Sequence, residues 1–323
     1  MKTSSEYFQT VASPINTIVT SCNKNYLWGV FLLVASIRLN GGKCPIIIWA
    51  FDFTEQDKSL LHQFSNVTIY KSDNPNTHLD KPRAILSAET EYVTWIDADC
   101  MFLGNLDSLL IPPNKGMQIR FRAINENTQV FKTRYSSTDQ KGCIPRSILL
   151  KWHEDINEEA RTNINTQCVS NFISLHRRHF EFIKKWQTQI DKVAINSTRP
   201  VDKNNQAYFM TDESVLASLF AYAHLRPNTS AYKLNEFSHK RLIHFGESLK
   251  PWKIWRYRHL KHYHYVIGVI DELKIQGICL PPLPKSLDYR FKLLTFSQSL
   301  LATNFLSFKR MLGQLFYSLG PKS

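Results

Sequence analysis

Blocks of apolar residues, punctuated by polar turns, organise the first hundred positions. Residues 16–20 (NTIVT) are a short, largely β-branched run and read as a first strand. Residues 21–26 are a polar turn, and 27–39 present a broad apolar helical face that stops at Asn40-Gly41-Gly42. A second buried strand, 46–50, follows Cys44-Pro45; Thr54 then caps a helix over 55–64, and 67–70 is a third strand. Residues 81–86 start another helix, with Pro82 in its first turn. Residues 92–96 (YVTWI) carry no charge and suit the interior strand of a parallel sheet. Strands alternating with helices predict βαβ units, hence an α/β fold with a mostly parallel, Rossmann-like sheet flanked by helices. Ligands of such sheets sit at the carboxyl ends of the strands.

After Leu110 the pattern loosens. Residues 111–114 (IPPN) form a loop, and 117–133 alternate well enough to be read as strands. Residues 134–145 are polar, with Gly142 and Pro145, and suit a mobile loop near a site. Residues 146–163 read mostly as helix, 165–174 as a strand entered through amides, 178–193 as an amphipathic helix and 195–206 as a polar loop. Thr211 is placed as the N-cap of a helix, with Asp212 and Glu213 in its first turn. Residues 280–284 (LPPLP) read as a hinge. Beyond it, Leu301, Phe305, Phe308, Leu312, Leu315 and Leu319 recur at three- and four-residue steps as one apolar helical face, ended by Gly320-Pro321. The expected organisation is a tail over 1–14, one α/β domain over 15–255, and a basic, aromatic, mainly helical appendage over 256–323.

Composition sharpens this outline. With 323 residues, 43% hydrophobic and 12% aromatic, the chain suits a packed globular protein and excludes a disordered one. The six cysteines are scattered without Cys-x-x-Cys, which argues against a zinc site or a dense disulfide framework and for a reducing compartment. Residues 1–14 lack an apolar core, so no signal peptide is read there. The apolar runs 30–37 and 46–51 are too short to span a bilayer, and a cytoplasmic location is expected. Net charge is +13, and residues 240–323 hold 14 Lys and Arg against 4 Asp and Glu, or +10. That asymmetry points to an anionic partner, nucleic acid or acidic lipid.

Two acids end the strand at 92–96. In an extended chain positions i and i+2 face the same way, so Asp97 and Asp99 present paired carboxylates across small Ala98. Such a pair is costly at the end of an apolar strand unless a cation meets it. A hard divalent ion open to phosphate oxygens is the natural partner; a solvated strand-to-loop turn is the plain alternative. His244 offers an imidazole to complete the ligand set. Lys250 offers a point charge for a diphosphate, and Gly246 lets the backbone come close. Read plainly, His244 and Lys250 only flank a surface turn. Tyr26 either stacks on a nucleotide base or covers the core. Arg83 either reaches a phosphate or the sugar from near a helix N-terminus, or is a surface arginine. Asp212 and Glu213 either answer the helix dipole or set a carboxylate beside a sugar, where it stabilises or attacks a developing oxocarbenium ion.

Taken in order, these landmarks resemble the retaining GT-A glycosyltransferases of family 8, which include glycogenin and bacterial lipopolysaccharide galactosyl- and glucosyltransferases. Asp97-Ala98-Asp99 matches the Asp-x-Asp pattern, Asn25-Tyr26 the turn after the first strand, and Arg83 the arginine before the metal strand. His244, Lys250, Pro251 and Trp252 keep the spacing of His-x-x-Gly-x-x-Lys-Pro-Trp, with Gly246 one place early. Asn165-Thr166-Gln167 is a loose match to Asn-Ala-Gly, at acceptor or sugar positions. Asp212-Glu213-Ser214 is closer to the Asp-Glu-Ser of the α-1,3-galactosyltransferase and blood-group family, where the Glu is the proposed nucleophile. The resemblance implies a GT-A fold and transfer of a hexose from a UDP-sugar with retention. It implies Mn²⁺ or Mg²⁺ on Asp97, Asp99 and His244, and nucleotide-sugar contacts from Asn25, Tyr26, Arg83, Asp97, Gly246 and Lys250. It places Asp212 and Glu213 as catalytic, and a glycan or lipid-linked acceptor of the lipopolysaccharide or surface-polysaccharide type.

The basic end remains. Residues 253–265 interleave cations with aromatics, and the apolar face after 300 has Lys309 and Arg310 nearby. This suits docking on an anionic membrane surface, peripheral to its inner face. A helix packed on the domain with a solvated basic side explains the same residues. A nucleic-acid-binding module also fits basic and aromatic interleaving, but leaves Asp97, Asp99 and the 244–252 run without a role. A degenerate, inactive transferase-like scaffold is the third reading.

Overall fold

The first four strands run side by side because each is a short β-branched run returned by a helix. They are β1 (Asn16–Asn23), β2 (Ile46–Phe51), β3 (Val67–Lys71) and β4 (Tyr92–Ile96), linked by α1 (Leu27–Leu39), α2 (Glu55–His62) and α3 (Lys81–Leu86). They are parallel in the order β3-β2-β1-β4, with Ile18 opposite Ile46 and Val19 opposite Trp95. The computed structural model describes residues 15–104, 110–131, 142–159, 164–193, 201–202, 204–230, 242–246 and 248–319. The expected tail over 1–14, most of the 134–145 loop, residues 195–200 and 203, Gly320-Pro321 and the side chains of Leu315 and Leu319 lie outside that description.

Past β4 the chain makes β5 (Cys100–Phe102), β6 (Met117–Phe121), α4 (Ile124–Phe131), α5 (Arg146–Ile156), β7 (Cys168–His176), α6 (Phe180–Val193) and α7 (Thr211–Tyr222). It then makes β8 (Thr229–Ser230), β9 (Leu242–His244), α8 (Tyr263–Ile275) and α9 (Lys292–Leu319). The main sheet has the order β3-β2-β1-β4-β7-β6-β8, and β7 runs antiparallel to both neighbours. A separate ribbon pairs β5 antiparallel with β9, placing His244 opposite Cys100.

The sheet divides two apolar layers. One holds α1, Trp252, Trp255 and the buried face of α8; the other holds α3, α5, α6 and α7. Every residue of α1 from Leu27 to Ile37 is buried, since the sheet covers one side and α8 packs on another. Residues after 255 therefore share the α1 layer: Tyr263, Val266 and Ile270 are fully buried, and the Tyr265 hydroxyl donates to the Phe102 carbonyl. Gly29 permits a close approach within it. A Cβ there would stand 2.6 Å from the Trp252 ring and 2.7 Å from the Ala98 carbonyl oxygen.

Four expectations change. Residues 117–133 are not all strand: after β6 the chain turns into α4, where Asn127 and Phe131, four apart, share the buried face. The Glu126 carboxylate accepts from the Ala123 N–H at 3.1 Å and stabilises that start. Thr211 does not cap α7. It is the first helical residue at φ 32°, and Ser214 reaches back to accept from the N-cap N–H of Met210 at 3.1 Å. The helix beginning at Arg146 stops at Ile156, where left-handed Asn157 closes it. Residues 280–284 are a tethered strap: Trp28 donates to the Pro282 carbonyl at 3.0 Å, and Gln63 exchanges two bonds with the backbone of Cys279.

α9 turns Thr295 and Ser299 inward and leaves Leu293, Leu301, Phe305, Phe308 and Met311 exposed. Among the described residues no helix is long and apolar enough to cross a membrane.

Candidate active site

A tight turn carries both aspartates from the end of β4 into β5. The Asp97 N–H donates to the Asn171 carbonyl on β7 at 2.9 Å, and the Cys100 N–H returns to the Asp97 carbonyl at 3.0 Å. The β5–β9 ribbon then delivers the imidazole. With Cys100 opposite His244 and the Phe245 N–H bonded to the Asp99 carbonyl at 2.9 Å, the ring lies against both acids. His244 Nε2 is 3.3 Å from Asp99 Oδ1 and 3.8 Å from Asp97 Oδ2. Gly246 accommodates that ring, for a Cβ there would meet His244 Cε1 at 2.9 Å.

Each aspartate also meets a buried lysine. Lys250 donates from Nζ to Asp99 Oδ2 and, at 2.8 Å, to the Phe245 carbonyl. Lys81 Nζ lies 3.0 Å from Asp97 Oδ1, which also accepts from Trp95 Nε1 at 2.9 Å. Burial opposes the charge on Asp99, but His244 and Lys250 outweigh it and hold the carboxyl well below its usual range. Burial likewise disfavours the His244 imidazolium; Asp99 and then Asp97 outweigh it and raise the ring above the usual histidine value.

The donor set fits a divalent cation. Ligand atoms about 2.1 Å from a common ion lie about 3 Å apart when adjacent, close to the 3.3 Å between His244 and Asp99, whereas the 3.8 Å to Asp97 has to shorten by about 0.8 Å. Asp99, Cys100 and His244 each bring one ligand atom within 4.8 Å of the others. Burial pushes the Cys100 thiol well above its usual value, and soft sulfur suits a hard ion less than carboxylate oxygen does. Asp97 Oδ2 is then the better third donor for a hard ion.

A second cluster joins the first through Lys81. Its ammonium bridges to Asp212 Oδ2 at 2.9 Å and donates to Ser170 Oγ at 2.7 Å, and the Ser170 hydroxyl donates to Asp212 Oδ2 at 2.8 Å. One turn position on, Glu213 Oε2 accepts from Arg122 Nη2 at 2.8 Å and Oε1 from the Ser170 N–H at 3.1 Å. Metal-type acids and the α7 acids are thus two ends of one buried charge network.

Of the other sequence-derived candidates, Tyr26 stays beside Lys250 and the rest engage other partners. Tyr26 packs edge-on against Trp252, with Lys250 Nζ 5.4 Å from its ring centre. Asn25 is exposed, and its carbonyl accepts from Trp252 Nε1 at 2.9 Å. Arg83 is half exposed and faces Asp80 at 3.7 Å and Asp191 at 3.6 Å, away from Asp97 and Asp99. Two residues along a helix turn a side chain about 200°, so Lys81 takes the inward place instead. Asn165 donates to Cys143 Sγ at 3.3 Å. Gln167 is fully buried and donates to Ser214 Oγ at 2.9 Å, bracing the start of α7. Lys81, Ser170 and Arg122 were missed: Lys81 opens the same helix as Arg83, while Ser170 and Arg122 carry no local signature.

No protein-family model and no curated protein sequence matches the chain. Solved structures do. The bifunctional glycosyltransferase WbbM in its apo form superposes with a TM-score of 0.52 at 14% identity, over 76% of this chain and 48% of that one. This chain therefore spans about half the length of WbbM. The galactosyltransferase LgtC, in complex with donor and acceptor sugar analogs, superposes with a TM-score of 0.50 at 11% identity, over 82% of this chain and 98% of that one. With the mostly parallel sheet and its flanking helices, these likenesses establish that the chain has the GT-A glycosyltransferase fold.

Proposed function

We propose that this chain is a metal-dependent, retaining glycosyltransferase that moves a hexose from a UDP-sugar to a glycan or lipid-linked acceptor of the surface-polysaccharide type. The observation that carries the proposal is His244 Nε2 lying within 3.3 Å of Asp99 and 3.8 Å of Asp97, with Lys250 buried beside them. Two carboxylates, an imidazole and an ammonium around one turn of strand suit a cation and a diphosphate better than they suit an apolar core.

Asp97, Asp99 and His244 would hold Mn²⁺ or Mg²⁺, which when bound supplies Lewis-acid stabilisation of the departing diphosphate. Lys250 offsets negative charge building on the same group, and Tyr26 and Gly246 border it. Glu213, in the first turn of α7, is the carboxylate that faces the sugar as its anomeric carbon becomes cationic, and Asp212 orients that sugar beside it. Retention of configuration makes the product linkage α from an α-configured donor. The catalytic unit is residues 15–255, with α8 packed on it as the cover of its α1 layer.

The basic, aromatic region after 255 would hold the enzyme on an anionic membrane surface. The exposed Leu301, Phe305, Phe308 and Met311 of α9 offer an apolar face, and the +10 of residues 240–323 offers the complementary charge. The test is a thermal-shift and turnover screen of UDP-sugars with and without Mn²⁺. Melting raised by both together, with metal-dependent release of UDP, is expected; the absence of either response refutes the proposal.

A further inference from the structure

The two oxygens of Asp97 are not equivalent. Oδ1 is fully engaged, by Trp95 Nε1 at 2.9 Å and Lys81 Nζ at 3.0 Å. Oδ2 faces His244. Lys81 cannot readily turn aside, because it is itself held by Asp212 Oδ2 and Ser170 Oγ and is 5% exposed.

We infer that Lys81 is a positioning residue that limits Asp97 to one open oxygen and thereby biases the cation site toward small, six-coordinate ions over Ca²⁺. This rests on the metal reading proposed above. Ca²⁺ takes six to eight oxygens and makes frequent use of bidentate carboxylates, whereas Mg²⁺ keeps octahedral geometry with short bonds, usually from single carboxylate oxygens and water. A carboxylate with one oxygen committed cannot close both onto a large ion. Asp99 repeats the arrangement with Lys250 on Oδ2, but Lys250 belongs to the proposed diphosphate grip. On Asp97 the Trp95 indole shares Oδ1 with Lys81, and Lys81 supplies the charged part of that restraint.

The bias also has a charge component that the experiment separates. Removing the Lys81 ammonium makes the site more negative, which strengthens binding of Mn²⁺ and Ca²⁺ alike. Only the freeing of Asp97 Oδ1 changes their ratio.

The test uses the full chain and Mn²⁺, Mg²⁺ or Ca²⁺ alone, without nucleotide, read by isothermal titration and by the melting shift at each concentration. Wild-type protein is expected to bind Mn²⁺ at least tenfold more tightly than Ca²⁺. Lys81→Met is expected to shrink that ratio at least fivefold, and Lys81→Arg, which keeps a donor on Oδ1, to restore most of it. A ratio unchanged in Lys81→Met overturns the inference, because a purely structural loss lowers melting without changing ion preference. If Lys81→Met does not fold, Lys81→Met/Asp212→Asn removes the stranded acid and supplies the same ratio. Wild-type protein that binds none of the three ions refutes the metal reading itself, a result distinct from an unchanged ratio.

Discussion

Arg122 Nη2 donates to Glu213 Oε2 at 2.8 Å across 91 positions of chain, while the Ser170 N–H holds the other carboxylate oxygen. Glu213 is thus aimed by partners on β7 and just past β6, not by its own helix. If it stabilises charge on the sugar, Glu213→Ala lowers kcat by about 10²–10³-fold with donor KM within a few-fold. Arg122→Met leaves the carboxylate present but loosely aimed and costs less, about tenfold in kcat. Steady-state UDP release measures both, and wild-type kcat in Glu213→Ala removes Glu213 from the reaction.

Replacing either aspartate by asparagine keeps its shape and discards its charge. Asp97→Asn and Asp99→Asn are expected to abolish Mn²⁺-dependent UDP-sugar turnover. Full residual activity in either refutes its place in the cation site. Asp99→Asn also strands the buried Lys250, so its melting falls further than a surface change would allow, by the equivalent of about 3–5 kcal/mol.

Gly29 sets the distance between α1 and the turn that holds both acids. Gly29→Ala drives a methyl into the Ala98 carbonyl and Trp252, and backbone there cannot yield as a flexible side chain would. The expected cost is about 1–3 kcal/mol in denaturant unfolding, with weakened Mn²⁺ binding because Ala98 sits between the two proposed ligands. Unchanged stability would show that α1 shifts freely.

His259, packed on Phe245 next to His244, gives a pH dependence of stability. Burial, then Arg258 and Arg256, push its ring down to about 3. Above about pH 6.5 neither the folded nor the unfolded state holds the proton. As pH falls from there toward 3, the unfolded chain takes up a proton that the folded ring refuses, so stability declines across that window. His259→Phe keeps an aromatic ring against Phe245 and is expected to flatten the decline in melting between pH 7 and 5. An equal decline in both proteins rules His259 out as its source.

Removal of residues 304–323 tests the membrane reading without opening the core. The cut spares the buried Leu287, Thr295 and Ser299 and the Thr303 hydroxyl that accepts from the Tyr257 N–H. Sedimentation with anionic vesicles is expected to fall, with UDP-sugar hydrolysis unchanged. Binding that survives the cut removes α9 from the interface.

The parallel half of the sheet was legible from its apolar, β-branched runs, and Asp97 and Asp99 as a pair of acids, but not their geometry: the expected extended alternation gives way to a turn closed by the Cys100 N–H on the Asp97 carbonyl. Helical phase was harder. Arg83 and Lys81 both open α3, and only the packed position of that helix decides which one turns inward. The alternation over 117–133 concealed the four-residue spacing of Asn127 and Phe131. Arg122 could not be found at all, since its partner lies far along the chain. One clue went unused: α1 is apolar all the way round, which requires cover on the side away from the sheet, and α8 supplies it.

The β5–β9 ribbon has a consequence for the order in which the protein comes into being. On the ribosome the aspartates emerge more than 140 residues ahead of the imidazole and the second lysine. Until β9 has been made and has paired with β5, a nascent polypeptide carries the acids without the imidazole. The proposed cation site is therefore complete only once β9 is paired with β5, close in sequence to the Trp252 and Trp255 that join the α1 layer.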